Sequence, residues 1–306
     1  METTITVQGL RKNYKTLRAV DGISFEVYQG EIFGMVGPNG AGKTTTIECV
    51  EGLRRPDGGD VRVLDLDPQR DGRALRQVIG VQLQECALPD RLQVGEALSL
   101  FAAFYRHSLK PQALLDDLGL ADKVRTPFAK LSGGQKQRLL IALALVGDPQ
   151  IVFLDELTTG LDPQARRAMW DLVDKVRERG KTVFLTTHYM EEAERLCDRV
   201  LIIDHGRIVA LDTPENLIRS LGAESRVAIV SEELAEGVLK ELRDLPGVSR
   251  VEQTDARVIV YGHGEELATA VVNTLAAARQ PFHDLRVEQP NLEDVFLALT
   301  GQEMRE

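Results

Sequence analysis

Three cysteines in 306 residues, Cys49, Cys86 and Cys197, are too few and too widely spaced for a disulfide framework or a zinc site. That scarcity fits a reducing compartment and three small buried side chains. Long apolar runs are also lacking. The most apolar stretch, Leu139 to Val146, falls far short of the roughly 20 residues a spanning helix needs. The opening METTITVQGL has no basic region leading into an apolar run, so no signal peptide is expected and the chain reads as cytoplasmic. Positive charge is in deficit as well: 37 Lys and Arg stand against 47 Asp and Glu, a net charge of −10, which disfavours nucleic acid as a partner. Internal repeats and low-complexity tracts are missing. What remains, 43% hydrophobic and 27% charged, is an ordinary globular composition, with room for roughly two domains at about 150 residues each.

Strand-like segments open the chain at Ile5–Leu10, Ile23–Val27 and Ile32–Val36. The third runs into the glycine-rich GPNGAGKTT and then a helical pattern from Thr45 to Leu53. After the turn Pro56-Asp57-Gly58-Gly59 comes a further alternating segment, Asp60–Leu64. Residues from about Glu85 to Val146 read as helical. Two buried-type strands, Ile151–Leu154 and Thr182–Thr186, flank a helix over Pro163–Arg179, and Val200–Asp204 with Arg207–Ala210 read as a hairpin. Alternation of strands and helices predicts a largely parallel, helix-covered sheet. A boundary is expected near Leu221–Ser225, giving domains 1–222 and 223–306, with a helical subdomain over about 85–148. The second domain reads strand, helix, strand, strand, helix, strand and a terminal helix over Leu292–Leu299. That order is ferredoxin-like α+β with one added helix.

Gly37-Pro38-Asn39-Gly40-Ala41-Gly42-Lys43-Thr44 fits the phosphate-loop pattern, with Thr45 following in the first helical turn. Glycines let successive backbone N–H groups converge on phosphate oxygens at the positive end of a helix. In such a loop the lysine reaches the β- and γ-phosphates and the Thr44 hydroxyl ligates Mg²⁺. Ile151 to Glu156 is an apolar strand ending in two carboxylates. Asp155 is expected to hold Mg²⁺, and Glu156 to polarise a water for in-line attack on the γ-phosphate. Ser132-Gly133-Gly134-Gln135 opens another helix, a second anion-binding terminus in the same chain.

With that string lying between the phosphate loop and the acidic strand, residues from about Thr4 to Leu221 resemble the ATP-binding subunit of an ABC transporter. The resemblance implies an α/β P-loop ATPase core of mixed sheet plus helical subdomain, with ATP and Mg²⁺ as ligands. It implies that Tyr14 stacks on adenine, and that Gln84, with Gln82 as runner-up, senses the metal and the attacking water. Thr159-Gly160-Leu161-Asp162 matches the loop that communicates across a dimer, and His188 the histidine that contacts the γ-phosphate. One departure is Leu157, where the family commonly has proline. It removes a fixed φ and adds a backbone N–H beside the catalytic glutamate. The tail Val287 to Phe296 resembles that of drug-resistance-type exporters. The implied partners are a second copy or close paralogue, head to tail, and a separate membrane permease that would hold the chain on the inner face of the membrane. The helical insertion around Glu85–Tyr105 is the expected docking surface. Two alternatives are a soluble ABC ATPase acting on DNA or ribosomes and a C-terminal domain that senses a small ligand.

Overall fold

The computed structural model describes residues 2–83, 88–222, 224–231, 234–254, 257–264, 266–282 and 284–301. In chain order the elements are β1 (Thr3–Tyr14), β2 (Leu17–Tyr28), β3 (Ile32–Val36), α1 (Lys43–Val50), β4 (Gly58–Val63), α2 (Gly72–Leu75), β5 (Ile79–Gln82), α3 (Val94–Ala102), α4 (Pro111–Asp117), α5 (Gly133–Leu145), β6 (Ile151–Asp155), α6 (Pro163–Glu178), β7 (Thr182–Thr187), α7 (Met190–Leu196), β8 (Arg199–Asp204) and β9 (Arg207–Asp212). The chain continues through α8 (Pro214–Ser220), β10 (Ser225–Val230), α9 (Glu236–Arg243), β11 (Val248–Thr254), β12 (Arg257–Gly262), α10 (Leu267–Ala277), β13 (Asp284–Glu288) and α11 (Leu292–Thr300). Packing divides it into two units. One takes in the chain up to Pro214 and from Leu299 onward, the other Glu215–Ala298. The division thus precedes α8, ahead of the linker expected near 221–225. A seven-residue helix with Leu217 as its one buried residue gives no sequence signal of which unit it joins.

The first unit holds a six-stranded sheet ordered β5-β6-β7-β3-β8-β9, parallel except for the β8–β9 hairpin. Every residue of β3, β6 and β7 is buried, because a parallel strand covered on both faces has no solvent side. This six-stranded sheet is the largely parallel one expected from the alternation of strands and helices, and the alternating strands near the N-terminus do not join it. They form a separate antiparallel sheet, β2-β1-β4. Their alternation is the reason: a strand half exposed on one face suits an antiparallel sheet with a solvated side. Between the two sheets lies the core, where Phe25 stacks on Phe33 at 5.5 Å and Phe184 sits 5.3 Å from Phe33 and 5.7 Å from Phe153.

Strand β5 escapes the sequence pattern. It has four residues, and its pairing with β6, Ile79 opposite Ile151, makes it a strand. A side chain at Gly80 would fall on the Ala144 carbonyl, so glycine lets α5 pack close there. The expected helical region resolves into α3, α4 and α5 with two short 3₁₀ turns between the last two.

In the second unit the sheet order is β11-β12-β10-β13, antiparallel throughout. This is the ferredoxin-like arrangement expected from the element order. Val227, Ile229, Val258 and Val260 pack with Leu239 and Leu242 of α9 and Val271 and Leu275 of α10. On the terminal helix Phe296 is buried, whereas Leu299 is half exposed.

Candidate functional site

Strand order brings the chemistry together. Because β7 lies between β6 and β3, the register sets Asp155 opposite Thr186 and Val36 opposite Thr187. The C-terminal ends of three neighbouring strands therefore lead directly into residues 37–42, into Glu156 and into His188. This is the crevice where open parallel sheets bind ligands.

The 37–42 loop ends on α1, capped by Gly42 at φ 109°. A Cβ on Gly42 would fall on the Ala19 carbonyl, and one on Gly37 on the Ile203 carbonyl. Gly40, also left-handed at φ 83°, faces open space. These constraints make a prediction. Gly40→Ala should lose about 1 kcal/mol, the backbone strain alone, whereas Gly42→Ala should lose well over about 2 kcal/mol because a backbone carbonyl must also move. Urea unfolding of the two variants checks this; equal losses would mean the loop is not held by its neighbours.

Lys43 is 4% exposed and donates to the carbonyls of Gly37 at 2.7 Å and Pro38 at 3.1 Å. Its Nζ lies 3.7 Å from Glu156 Oε1. Burial pulls the ammonium below its usual range, and the Glu156 and Asp155 charges oppose that. Asp155 is displaced upward by burial, opposed by the Thr186 hydroxyl, which donates to Oδ1, and by a hydrogen bond from the Thr44 side chain. Glu156 adopts φ 49°, an uncommon conformation for a residue with a Cβ. Its Oε2 lies 3.6 Å from His188 Nδ1 and 3.4 Å from the Thr159 hydroxyl, which donates to it. Leu157 is buried at 2% exposure, so the side chain in place of proline is absorbed by the core. Behind His188, the buried Glu192 of α7 accepts a 3.0 Å hydrogen bond from Trp170 Nε1 and braces α7 against α6.

Other sequence-derived residues sit elsewhere. Ser132 caps α5 in a reciprocal box with Gln135, its Oγ accepting from the Gln135 N–H at 3.3 Å. Asp162 caps α6, accepting from Ala165 N–H at 2.8 Å. Gly133 and Gly134 lie against Leu161 and Ala165, so the two loops are neighbours. Ser132 and Gly133 are exposed, and among the described residues no hydrogen bond or ion pair ties residues 132–134 to residues 37–44. Tyr14, at the end of β1, is 36% exposed. Thr45 lies, partly buried, in the first turn of α1. Gln84 falls outside the described residues. Gln82 is buried and turned onto the Leu83 carbonyl at 2.7 Å, its Oε1 without a hydrogen-bond partner among the described residues.

Sequence reasoning missed Thr186, which holds one oxygen of Asp155. Inside an apolar strand, only its register opposite Asp155 reveals it. The donor set fits a hard cation: the Thr44 hydroxyl opens α1 and acts on the Asp155 carboxylate at the end of β6, all oxygen and no sulfur. Among the described residues no group of three or more His, Cys, Asp or Glu could hold a metal.

A phosphate-cradling loop, buried lysine and acidic strand end define a P-loop nucleotide hydrolase. The ABC transporter family pattern matches residues 20–159. The daunorubicin resistance ATP-binding protein DrrA3 of Streptomyces coeruleorubidus is 37% identical over 99% of this chain and 98% of its own length. The Nod factor export ATP-binding protein I of Burkholderia pseudomallei (strain 1710b) is 40% identical, with 98% of each chain covered. Among solved structures, an ATP-binding subunit of an ABC transporter matches with TM-score 0.65 and 29% identity, covering 72% of this chain and 93% of that one. A dimeric post-hydrolysis ATP-binding cassette bound to ADP and Pi matches with TM-score 0.61 and 25% identity, covering 68% and 98%. The chain belongs to the ATP-binding subunits of ABC transporters and is an ATPase.

Proposed function

We propose that this subunit energises export of a small molecule, drug-like or lipid-like, through a separate permease. The support is that relatives named for daunorubicin resistance and Nod factor export align end to end with this chain, second unit included. Among the described residues no helix is long and apolar enough to cross a membrane.

In the proposed cycle, backbone N–H groups of residues 39–44 and the Lys43 ammonium hold the phosphates. Thr44 and Asp155 would hold Mg²⁺, which would supply charge neutralisation at the phosphates. Glu156 orients and polarises the attacking water, His188 contacts the γ-phosphate, and Gln84 is the residue that senses the metal and the attacking water. Tyr14 stacks on the base. The exposed Ser132 and Gly133, the half-buried Gly134 and Gln135, and Asp162 complete the site of a partner subunit; closing and reopening of that dimer is the two-state motion transmitted to the permease.

For docking we propose the face at the end of α3. A cavity of about 840 Å³ lies there, lined by residues including Gln77, Phe104, Tyr105 and Gly147. Gln77 clamps its rim, donating to the Phe104 carbonyl at 3.1 Å and accepting from Arg106 N–H at 3.0 Å. Phe104 is 64% exposed, an apolar anchor without a pocket of its own. Coexpression with the membrane protein of the adjacent reading frame tests the reading. The wild-type chain should sediment with membranes, and Phe104→Glu should move most of it to the soluble fraction while ATPase activity of the purified chain stays within about twofold. Full retention on membranes would remove this face from docking.

A further inference from the structure

Two cations lie at the ring of Tyr14. The Arg54 guanidinium carbon is 5.3 Å from the ring centroid and Lys12 Nζ is 5.8 Å away. They are differently committed. Lys12 donates to the Arg55 carbonyl at 2.8 Å and Asp57 at 3.0 Å. Asp57 also accepts from Asn13 N–H at 2.7 Å, so this cluster ties the β1 strand end to the loop after α1. Arg54 is anchored to the phosphate-loop helix. Its N–H donates to the Glu48 carbonyl at 3.0 Å, its Nε donates to the Glu48 carboxylate, and its own carbonyl accepts from Gln69 at 3.0 Å. A guanidinium bonds a carboxylate through its edge while presenting a flat, charged face to an aromatic ring, a face the Lys12 ammonium lacks. Glu48, Arg54 and Tyr14 therefore form a chain from α1, whose first turn belongs to the phosphate site, to the exposed aromatic at the end of β1.

We propose that Arg54 is a positioning residue for nucleotide binding: held by Glu48, it fixes the Tyr14 ring in the orientation that stacks on the base, and so links base recognition to the phosphate helix. The proposal rests on the reading of Tyr14 as the base platform. An exposed tyrosine at a strand end otherwise rotates freely about χ1, and ordering it on binding costs affinity. A cation held at the ring removes that freedom in advance and strengthens the interaction by an amount typical of a partly exposed cation–π pair.

The test is titration calorimetry of the full chain with Mg²⁺ and two probes, ADP, which carries the base, and inorganic pyrophosphate, which does not. Arg54→Met keeps the apolar stem and removes the charge; it should weaken ADP by about three- to fivefold and leave pyrophosphate unchanged. Arg54→Lys should recover only part of the loss. Tyr14→Ala should weaken ADP at least as much and abolish any further effect of Arg54→Met in the double variant. An unchanged ADP affinity in Arg54→Met, an equal loss for pyrophosphate, or a loss that persists in the Tyr14→Ala background would each overturn the proposal. If Tyr14→Ala itself leaves ADP and pyrophosphate equally bound, the base-platform reading fails first, and the Arg54 proposal fails with it.

Discussion

Glu156→Gln should retain ATP and lose at least about a hundredfold in turnover, a rise of roughly 2.7 kcal/mol in the barrier. Shape is conserved, so the carboxamide can still reach Lys43, 3.7 Å from the present Oε1, and the Thr159 hydroxyl at 3.4 Å. What disappears is the negative charge that draws a proton from the attacking water. That charge is set in a nearly water-free pocket, where Glu156 is 9% and Asp155 3% exposed, so solvent cannot substitute for it. Removing a carboxylate also relieves repulsion with the γ-phosphate, so ATP should stay bound and a dimer should accumulate. Steady-state phosphate release, with size exclusion in ATP, reads both effects. Turnover near wild type would strip Glu156 of its catalytic role and shift attention to His188, 3.6 Å away.

The second large effect is recovery of activity from two inactive chains. Lys43→Ala removes a buried cation from the phosphate cradle, and Ser132→Arg blocks the exposed cap of α5 with a bulky charge. Each homodimer then lacks one half of both sites. In a mixed head-to-tail dimer both defects fall in a single site, and the other keeps an intact Lys43 and an intact Ser132. Random mixing at equal amounts should restore roughly a quarter of wild-type activity if each site of the C₂ dimer turns over independently. The warrant is that developing charge on the γ-phosphate needs donors from both faces, while residues 132–134 make no bond to their own chain's phosphate loop among the described residues. The measurement is ATPase rate against mixing ratio, with exchange confirmed by tagged pull-down. A hybrid of wild type with a Lys43→Ala chain, which keeps one intact composite site, serves as the control for single-site turnover. An active control beside a dead mixture would refute the head-to-tail assignment.

Much of this site is local in sequence and was legible there. Residues 37–44 need no more than a strand, a run of glycines and a helix start, and the structure has β3, the loop and α1 in that order. Ser132 and Asp162 are helix caps, and a cap is written by the residue and the three that follow it. The ferredoxin-like order of the second unit likewise follows from apolar alternation and turn residues.

Other features depend on which strands become neighbours, and no local pattern encodes that. The sequence by itself determined a phosphate loop, an acidic strand end, two capped helix starts and a chain with the motifs of an ABC ATPase. Only the tertiary structure decided that β7 would lie between β6 and β3, setting Thr186 against Asp155 and His188 against Glu156. It alone separated the alternating strands into their own sheet, made β5 a strand by pairing it with β6, and brought Arg54 to the ring of Tyr14. The physical reason is range. Caps and glycine turns are satisfied by hydrogen bonds within a few residues, whereas sheet order, burial and the charges that burial displaces are settled by partners tens of residues away.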